Sequence, residues 1–221
     1  MKKKDLAKYL DLANHHPDAT PEDIKELCQK VKKHKLHSAF VNPYYIPLAR
    51  ELMADGIVGT VIGFPLGQDT QNTKTLAAID AAKKGADELD ICMNVGLFKG
   101  GEKDQVLAEM EAILSAAKNI KGSVVVKFII ETSLLTDEEI KKAAQLVLKS
   151  GADFVKTNTG LGPRGASLKD VELIREAIGD KIKIKVAGGI HTYKEAVAFI
   201  EKGADRIGTS RAVEIIKGAK E

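Results

Sequence analysis

Three tracts of the sequence, KKGADELD, KSGADFVK and EKGADRIG, share Gly-Ala-Asp, and five residues beyond their glycines (Gly85, Gly151, Gly203) stand Asp90, Lys156 and Gly208. Lys156 closes the short apolar run Phe154–Val155, where a charged amine is costly to bury unless something compensates it. A second lysine, Lys185, lies in the run KIKIKV (181–186), whose isoleucines and valine share one face while Lys181, Lys183 and Lys185 share the other. Two lysines close together in a water-poor site each disfavour the other's protonation, and desolvation acts in the same direction. A neutral amine is what attack on a carbonyl requires. The pair therefore predicts Schiff-base chemistry, one lysine as nucleophile and the other as the group that lowers its pKa, with the roles interchangeable on spacing alone. Asp90 is the candidate for proton transfer, keeping both amines in register and moving a proton through water.

These side chains meet only if the chain places them on neighbouring strands. Short apolar runs occur at 37–41, 57–64, 88–95, 123–130, 153–157, 181–186 and 205–209, with a weaker one, YLDLA, at 9–13. Between them lie stretches with helical apolar spacing, such as Asp104–Lys118 and Asp137–Lys149. Helix starts are marked at Thr20-Pro21, at Thr136 with Glu139, and at Thr192 with Glu195. The repeated tracts read as one helix-to-strand joint used three times, its glycine closing a helix in the left-handed conformation. Eight strand–helix units without a linker predict a single-domain α/β protein over residues 1–221, a (β/α)8 TIM barrel, and no GxGxxG opens the first helix as an open doubly wound sheet would require. In a barrel the outer strand face must be apolar, so Lys185 points inward beside Lys156, at the C-terminal face where such barrels carry their sites.

Glycine loops on that face predict a phosphate. VAGGIHT and RIGTSRA follow the seventh and eighth strands, and Gly188, Gly189 and Gly208 let backbone N–H groups approach an anion, with Ser210 adding a hydroxyl. TGLGPRG puts Gly160 close after Lys156. Pro65, in VIGFPLG, is expected to shape the pocket wall. Lys127 and Glu131 share one face of the fifth strand, where an ion pair inside the barrel explains them as well as catalysis does, and Asn42 and Asn94 are expected to bind hydroxyls or cap loops. The five histidines show no metal-ligand spacing, so no metal site is expected.

Composition narrows the partners. A formal net charge of +3, from 34 basic and 31 acidic residues, gives no ground to expect nucleic acid. The start MKKKDLAKYLDLANHH has a basic cluster without an apolar run, so neither a signal peptide nor a membrane anchor is expected. The two cysteines, Cys28 and Cys92, read as buried reduced thiols, and the expected location is the cytoplasm. Association into a homo-oligomer is left open.

With these residues in view, the sequence resembles the deoxyribose-phosphate aldolases, a family of class I aldolases, from about Tyr9 to Lys217. The resemblance is carried by PDAT (17–20), VNPYY (41–45), VIGFPLG, GADELD with Asn94 and Gly96, and KFIIET (127–132). Most specific are GADFVKT with TG, VAGGI preceded by Lys185, and RIGTS. It implies that Lys156 forms the Schiff base, that Lys185 perturbs its pKa, and that Asp90 acts as acid and base with a water. It also implies that Gly160, Gly188, Gly189, Gly208 and Ser210 hold the phosphate of a small phosphorylated sugar. The implied reaction is the reversible cleavage of 2-deoxy-D-ribose 5-phosphate to acetaldehyde and D-glyceraldehyde 3-phosphate, with no cofactor. A related Schiff-base lyase with another aldehyde pair and a catalytically weak phosphosugar-binding barrel are the alternatives. The family start resembles Asp-His-Thr-Leu-Leu-Lys-Pro, whereas DLANHHP places Ala13 and His16 at the threonine and lysine positions. Phe40 stands at a common cysteine, Asn158 at a common serine and His191 at an arginine, so affinity and turnover are expected to differ more than reaction type.

Overall fold

The structure, a computed structural model, describes residues 1–220. Eight strands form a closed barrel in chain order: β1 (Leu10–Asn14), β2 (Ser38–Val41), β3 (Ile57–Ile62), β4 (Glu88–Cys92), β5 (Val125–Ile129), β6 (Phe154–Lys156), β7 (Lys183–Ala187) and β8 (Arg206–Thr209). All neighbours are parallel, and β1 closes the ring against β8. The helices are α1 (Lys3–Leu6), α2 (Pro21–His34), α3 (Ile46–Leu52), α4 (Gln71–Lys83), α5 (Val95–Lys99), α6 (Lys103–Ile120), α7 (Asp137–Lys149), α8 (Leu168–Ile178), α9 (Tyr193–Glu201) and α10 (Ala212–Lys217). Every apolar run read as a strand is one, the weak YLDLA run included. None of the described helices is long and apolar enough to cross a membrane.

Local chemistry explains the joints. Thr20, Thr136 and Thr192 each cap a helix reciprocally, through Asp23, Glu139 and Glu195 respectively. At the repeated joint, Gly85, Gly151 and Gly203 take φ of 97°, 81° and 105°, which a side chain would resist. The aspartate two residues on then does the same work three times. Asp87, Asp153 and Asp205 accept the N–H of Val58, Val126 and Ile184 on the preceding strand at 2.8–2.9 Å, while their own N–H groups bond that residue's carbonyl oxygen. A cation from a helix or its C-terminal end covers each carboxylate: Arg50, Lys118 and Arg175. The motif thus clamps the entry of one strand to its neighbour and sets the register above it.

Strand parity divides the residues. Leu89, Ile91, Val126, Phe128, Val155, Ile184, Val186 and Ile207 face outward into the core shared with the helices. The inward face is ionic: Asp11, Glu88, Asp90, Lys127, Lys156, Lys185 and Arg206 are all buried. Register puts Lys156 directly opposite Lys185, and Asp90 opposite Lys127.

Candidate active site

Asp90 is the hub of the barrel interior. Its Oδ2 accepts a hydrogen bond from Lys156 Nζ at 2.8 Å and lies 2.8 Å from Lys185 Nζ, while its Oδ1 is 3.2 Å from Lys127 Nζ. Burial pushes the Asp90 carboxyl up, but Lys127, Lys156 and Lys185 together outweigh it and hold the group well below the usual carboxylate range. It is an anion that binds both amines at one oxygen.

The two lysines are not equally free. Lys185 Nζ lies 2.7 Å from Asp11 and 3.5 Å from the centroid of the Phe40 ring, besides Asp90. Burial lowers its pKa, Asp11 and Asp90 oppose that, Lys127 and Lys156 add to it, and the net direction is down. Lys156 has Asp90 as its one ion-pair partner among the described residues. A bound aldehyde would have to displace a single contact to reach Lys156 but two carboxylates and a ring to reach Lys185.

Beneath this pair the network continues toward the N-terminal end of the strands. Lys127 bonds Glu88 at 2.5 Å, and Asp11 takes Ser38 Oγ at 2.6 Å and Arg206 at 3.2 Å. Burial pushes Lys127 down, but Asp90, Glu88 and Asp11 hold it above its ordinary value. His37 lies 3.0 Å from Glu88, and with Asp11 these donors fall within 4.8 Å of one another, a grouping that chain spacing does not reveal. Arg206 and Lys127 already neutralise both carboxylates, so an ionic network accounts for the cluster.

A cavity of about 290 Å³ opens above the lysines. Asp90, Lys156, Gly160, Lys185, Gly188, Gly189, Gly208 and Ser210 all line it, so folding brings every candidate together. Gly188 has φ 97°, and a Cβ there would lie 3.3 Å from Gly160 Cα, so the loops after β6 and β7 pack backbone to backbone. A Cβ on Gly208 would meet Lys185 Cε at 2.9 Å, which gives this glycine a second reason: it admits the lysine's stem. Ser210 is exposed two residues before α10, and His16 and His191 are exposed on the rim. Thr157 Oγ1 bonds both the N–H and the carbonyl oxygen of Ala187 at 3.1 Å, tying the ends of β6 and β7 together.

Some expectations change. Lys127 and Glu131 do not pair, because the chain leaves strand geometry after Ile129 and Glu131 adopts φ 52°. Its carboxylate instead accepts the Thr159 N–H at 2.9 Å, the Thr159 hydroxyl at 2.7 Å and the Ser133 hydroxyl at 2.5 Å, holding the loop after Lys156. Asn94 caps α5, and Asn42 donates to the His16 carbonyl oxygen at 3.3 Å. Phe64 lines the cavity above the lysines, whereas Pro65 lines an adjoining one. His15, whose spacing offered no metal-ligand pattern, also lines the cavity above the lysines, with its ring centroid 5.2 Å from that of Phe64. Burial, then Lys156, pushes its pKa down to about 3. Strand parity through Asp11 and Ala13 is the signal that points His15 at the cavity.

Known proteins resemble the chain over nearly its whole length. The sequence model of the family described as DeoC/LacD family aldolase matches residues 6–215. A deoxyribose-phosphate aldolase of Thermococcus gammatolerans is 46% identical over 220 residues, covering 98% of this chain and 97% of its own. One from Caldanaerobacter subterraneus subsp. tengcongensis is 44% identical over 214 residues, covering 96% and 92%. Among solved structures, one described as "QR15, an Aldolase" superposes with a TM-score of 0.92 at 40% identity, covering 96% and 95%. The deoxyribose phosphate aldolase of Aeropyrum pernix, described as having a unique tetrameric structure, gives 0.89 at 31%, covering 98% and 91%.

Proposed function

Because the chain belongs to the DeoC/LacD family of aldolases, we propose that it cleaves 2-deoxy-D-ribose 5-phosphate reversibly to acetaldehyde and D-glyceraldehyde 3-phosphate through a Schiff base on Lys156. The observation that carries this reading is that Lys156 and Lys185 both lie 2.8 Å from one Asp90 oxygen on the floor of a cavity with glycine loops at its rim.

The steps follow from the geometry. Lys156 passes a proton toward Asp90, and its neutral amine attacks C1 of the open-chain sugar phosphate. Loss of water leaves an iminium, whose positive charge Asp90 stabilises in a low-dielectric site. A water held by Asp90 takes the proton of the C3 hydroxyl. The C2–C3 bond breaks, its electron pair moves to the iminium nitrogen as an enamine, and C3 becomes the aldehyde of glyceraldehyde 3-phosphate. Protonation of the enamine at C2 and hydrolysis release acetaldehyde and restore the amine. Lys185, pinned by Asp11, Asp90 and Phe40, holds a second amine against the same Asp90 oxygen that Lys156 binds. Gly160, Gly188, Gly189, Gly208 and Ser210 hold the phosphate. No metal or organic cofactor enters any step, the expected location is the cytoplasm, and the tetrameric relative makes self-association part of the proposal.

Borohydride reduction in the presence of acetaldehyde, followed by peptide mass mapping, tests it. The expected result is a two-carbon adduct on Lys156 that is absent from Lys156→Ala. An adduct on Lys185 alone would reverse the two roles. Activity abolished by a chelator and restored by zinc would sink the metal-free route.

A further inference from the structure

The loop after β1 carries into the catalytic cavity a polar atom that the protein leaves unsatisfied. His15 Nδ1 is buried in the cavity wall without a hydrogen-bond partner. With the imidazole proton on Nε2, Nδ1 is a bare acceptor. With a pKa pushed down to about 3, the ring is neutral and keeps that lone pair. A buried acceptor without a donor is unfavourable until a ligand or a water completes it.

Position along the chain adds a second observation. Ala13 and His15 both line the cavity, two residues apart. In the start that this sequence resembles, Asp-His-Thr-Leu-Leu-Lys-Pro, the hydroxyl falls at position 13 and a leucine at position 15. Here position 13 is apolar and position 15 polar, so the polar group has moved two residues up the same wall.

We propose that His15 determines specificity for the acceptor half of the substrate, its Nδ1 accepting a hydrogen bond from the C4 hydroxyl of the sugar phosphate. The inference rests on the reaction proposed above. C1 is bonded to Lys156 at the floor and the phosphate is held at the rim. The C3 oxygen lies beside Asp90 and its water, which leaves the C4 hydroxyl in the span between. That hydroxyl needs an acceptor, and Ala13, Phe40 and Phe64 offer none.

The test runs the reaction in the condensation direction, with acetaldehyde and two acceptors. D-glyceraldehyde 3-phosphate carries the hydroxyl in question, and 3-phosphooxypropanal lacks it. His15→Leu should lose about tenfold in kcat/KM for the first acceptor, mostly through KM, and change little for the second. His15→Asn, whose Oδ1 falls near the place of Nδ1, should stay within about threefold of wild type. Trapping with borohydride and acetaldehyde alone, which has no such hydroxyl, should be equal in all three proteins and shows that the variants are folded with a working nucleophile. Equal losses on both acceptors in His15→Leu, or no loss on either, overturn the inference. Absence of a trapped adduct in the wild type would overturn the underlying reaction instead.

Discussion

Phe40 and Gly59 are cross-strand neighbours that share one space inside the barrel: a Cβ on Gly59 would lie 2.3 Å from Phe40 Cζ. The glycine is what admits the ring, and the ring then lies 3.5 Å from Lys185 Nζ, a cation–π contact in a desolvated place. Gly59→Ala should cost about 1–3 kcal/mol by overpacking and displace the ring from the lysine. Urea unfolding checks the cost. Adding Phe40→Leu to Gly59→Ala should recover part of it, with a coupling of about 0.5–3 kcal/mol, because both changes act on one volume. Simple additivity would show that the two side chains do not compete.

Asp90→Asn keeps the volume and removes the charge that three buried lysines share. It should lower kcat by about 10²–10⁴, the range for loss of a general acid–base group. It should also destabilise the fold by about 3–5 kcal/mol, since Lys127, Lys156 and Lys185 lose a common counterion. Lys156→Met in the same background should restore stability without activity. A stable Asp90→Asn protein with normal turnover would remove Asp90 from both roles.

That hub shows what the sequence reveals and what it withholds. Lys156 and Asp90 are legible because one joint repeats with them at equal offsets. β1 is the faintest strand because Asp11 interrupts its apolar run, and the structure gives the reason: Asp11 binds Arg206 on the adjoining β8 and Lys185 on β7, residues far away in the chain. Pairings of this kind depend on register between distant strands, which no single strand encodes. Lys127 looked like a partner for Glu131 by period-two spacing, yet one residue in the left-handed region ended that period. Lys74, fully buried on α4 against Glu109 at 2.7 Å, gives no sign at all, because its partner lies on another helix.

The ionic interior sets an acid limit. Asp90 and Glu88 have folded-state pKa values below their unfolded values of about 3.9 and 4.3. Each then contributes stability that is complete above the unfolded value and is lost as pH falls through the folded one. The urea midpoint should decline gently below about pH 6.5, because His15 stays neutral in the fold while the unfolded imidazole takes up a proton, and fall more steeply below about pH 4, the second step being shallower in Asp90→Asn. At the alkaline end the lowered Lys185 and raised Lys127 have opposite slopes, so little net change is expected there. A midpoint that rises on acidification would contradict the assignment.

Phosphate affinity is open to improvement at the rim. His16 and His191 stand there, and among the described residues the lysines lining the cavity are Lys156 and Lys185, both at its floor. His16→Lys and His191→Arg each add a permanent cation near the proposed phosphate loops. Each should lower KM for the sugar phosphate about three- to tenfold at low salt, leave kcat nearly unchanged, and steepen the salt dependence. An unphosphorylated deoxyribose should show no such gain. A gain on both sugars would place the phosphate elsewhere.

Glu131 holds an unfavourable backbone in exchange for three hydrogen bonds. A non-glycine residue at φ 52° costs about 1 kcal/mol or more, yet its carboxylate fixes Thr159 and Ser133, and Gly160 follows directly. Two substitutions separate backbone from carboxylate. Glu131→Ala loses the bonds and keeps the strain, whereas Glu131→Gly loses the bonds and relieves it, so the glycine variant should be the more stable by about 1 kcal/mol. Both should show faster hydrogen exchange at the Thr159 amide. Both should also raise KM for the sugar phosphate while leaving acetaldehyde trapping on Lys156 intact, because the proposed nucleophile sits on β6 and the clamp acts only on the loop beyond it. If trapping falls together with substrate affinity, the clamp reaches the strand itself, and the loop after Lys156 is not the separable element that its hydrogen bonds describe.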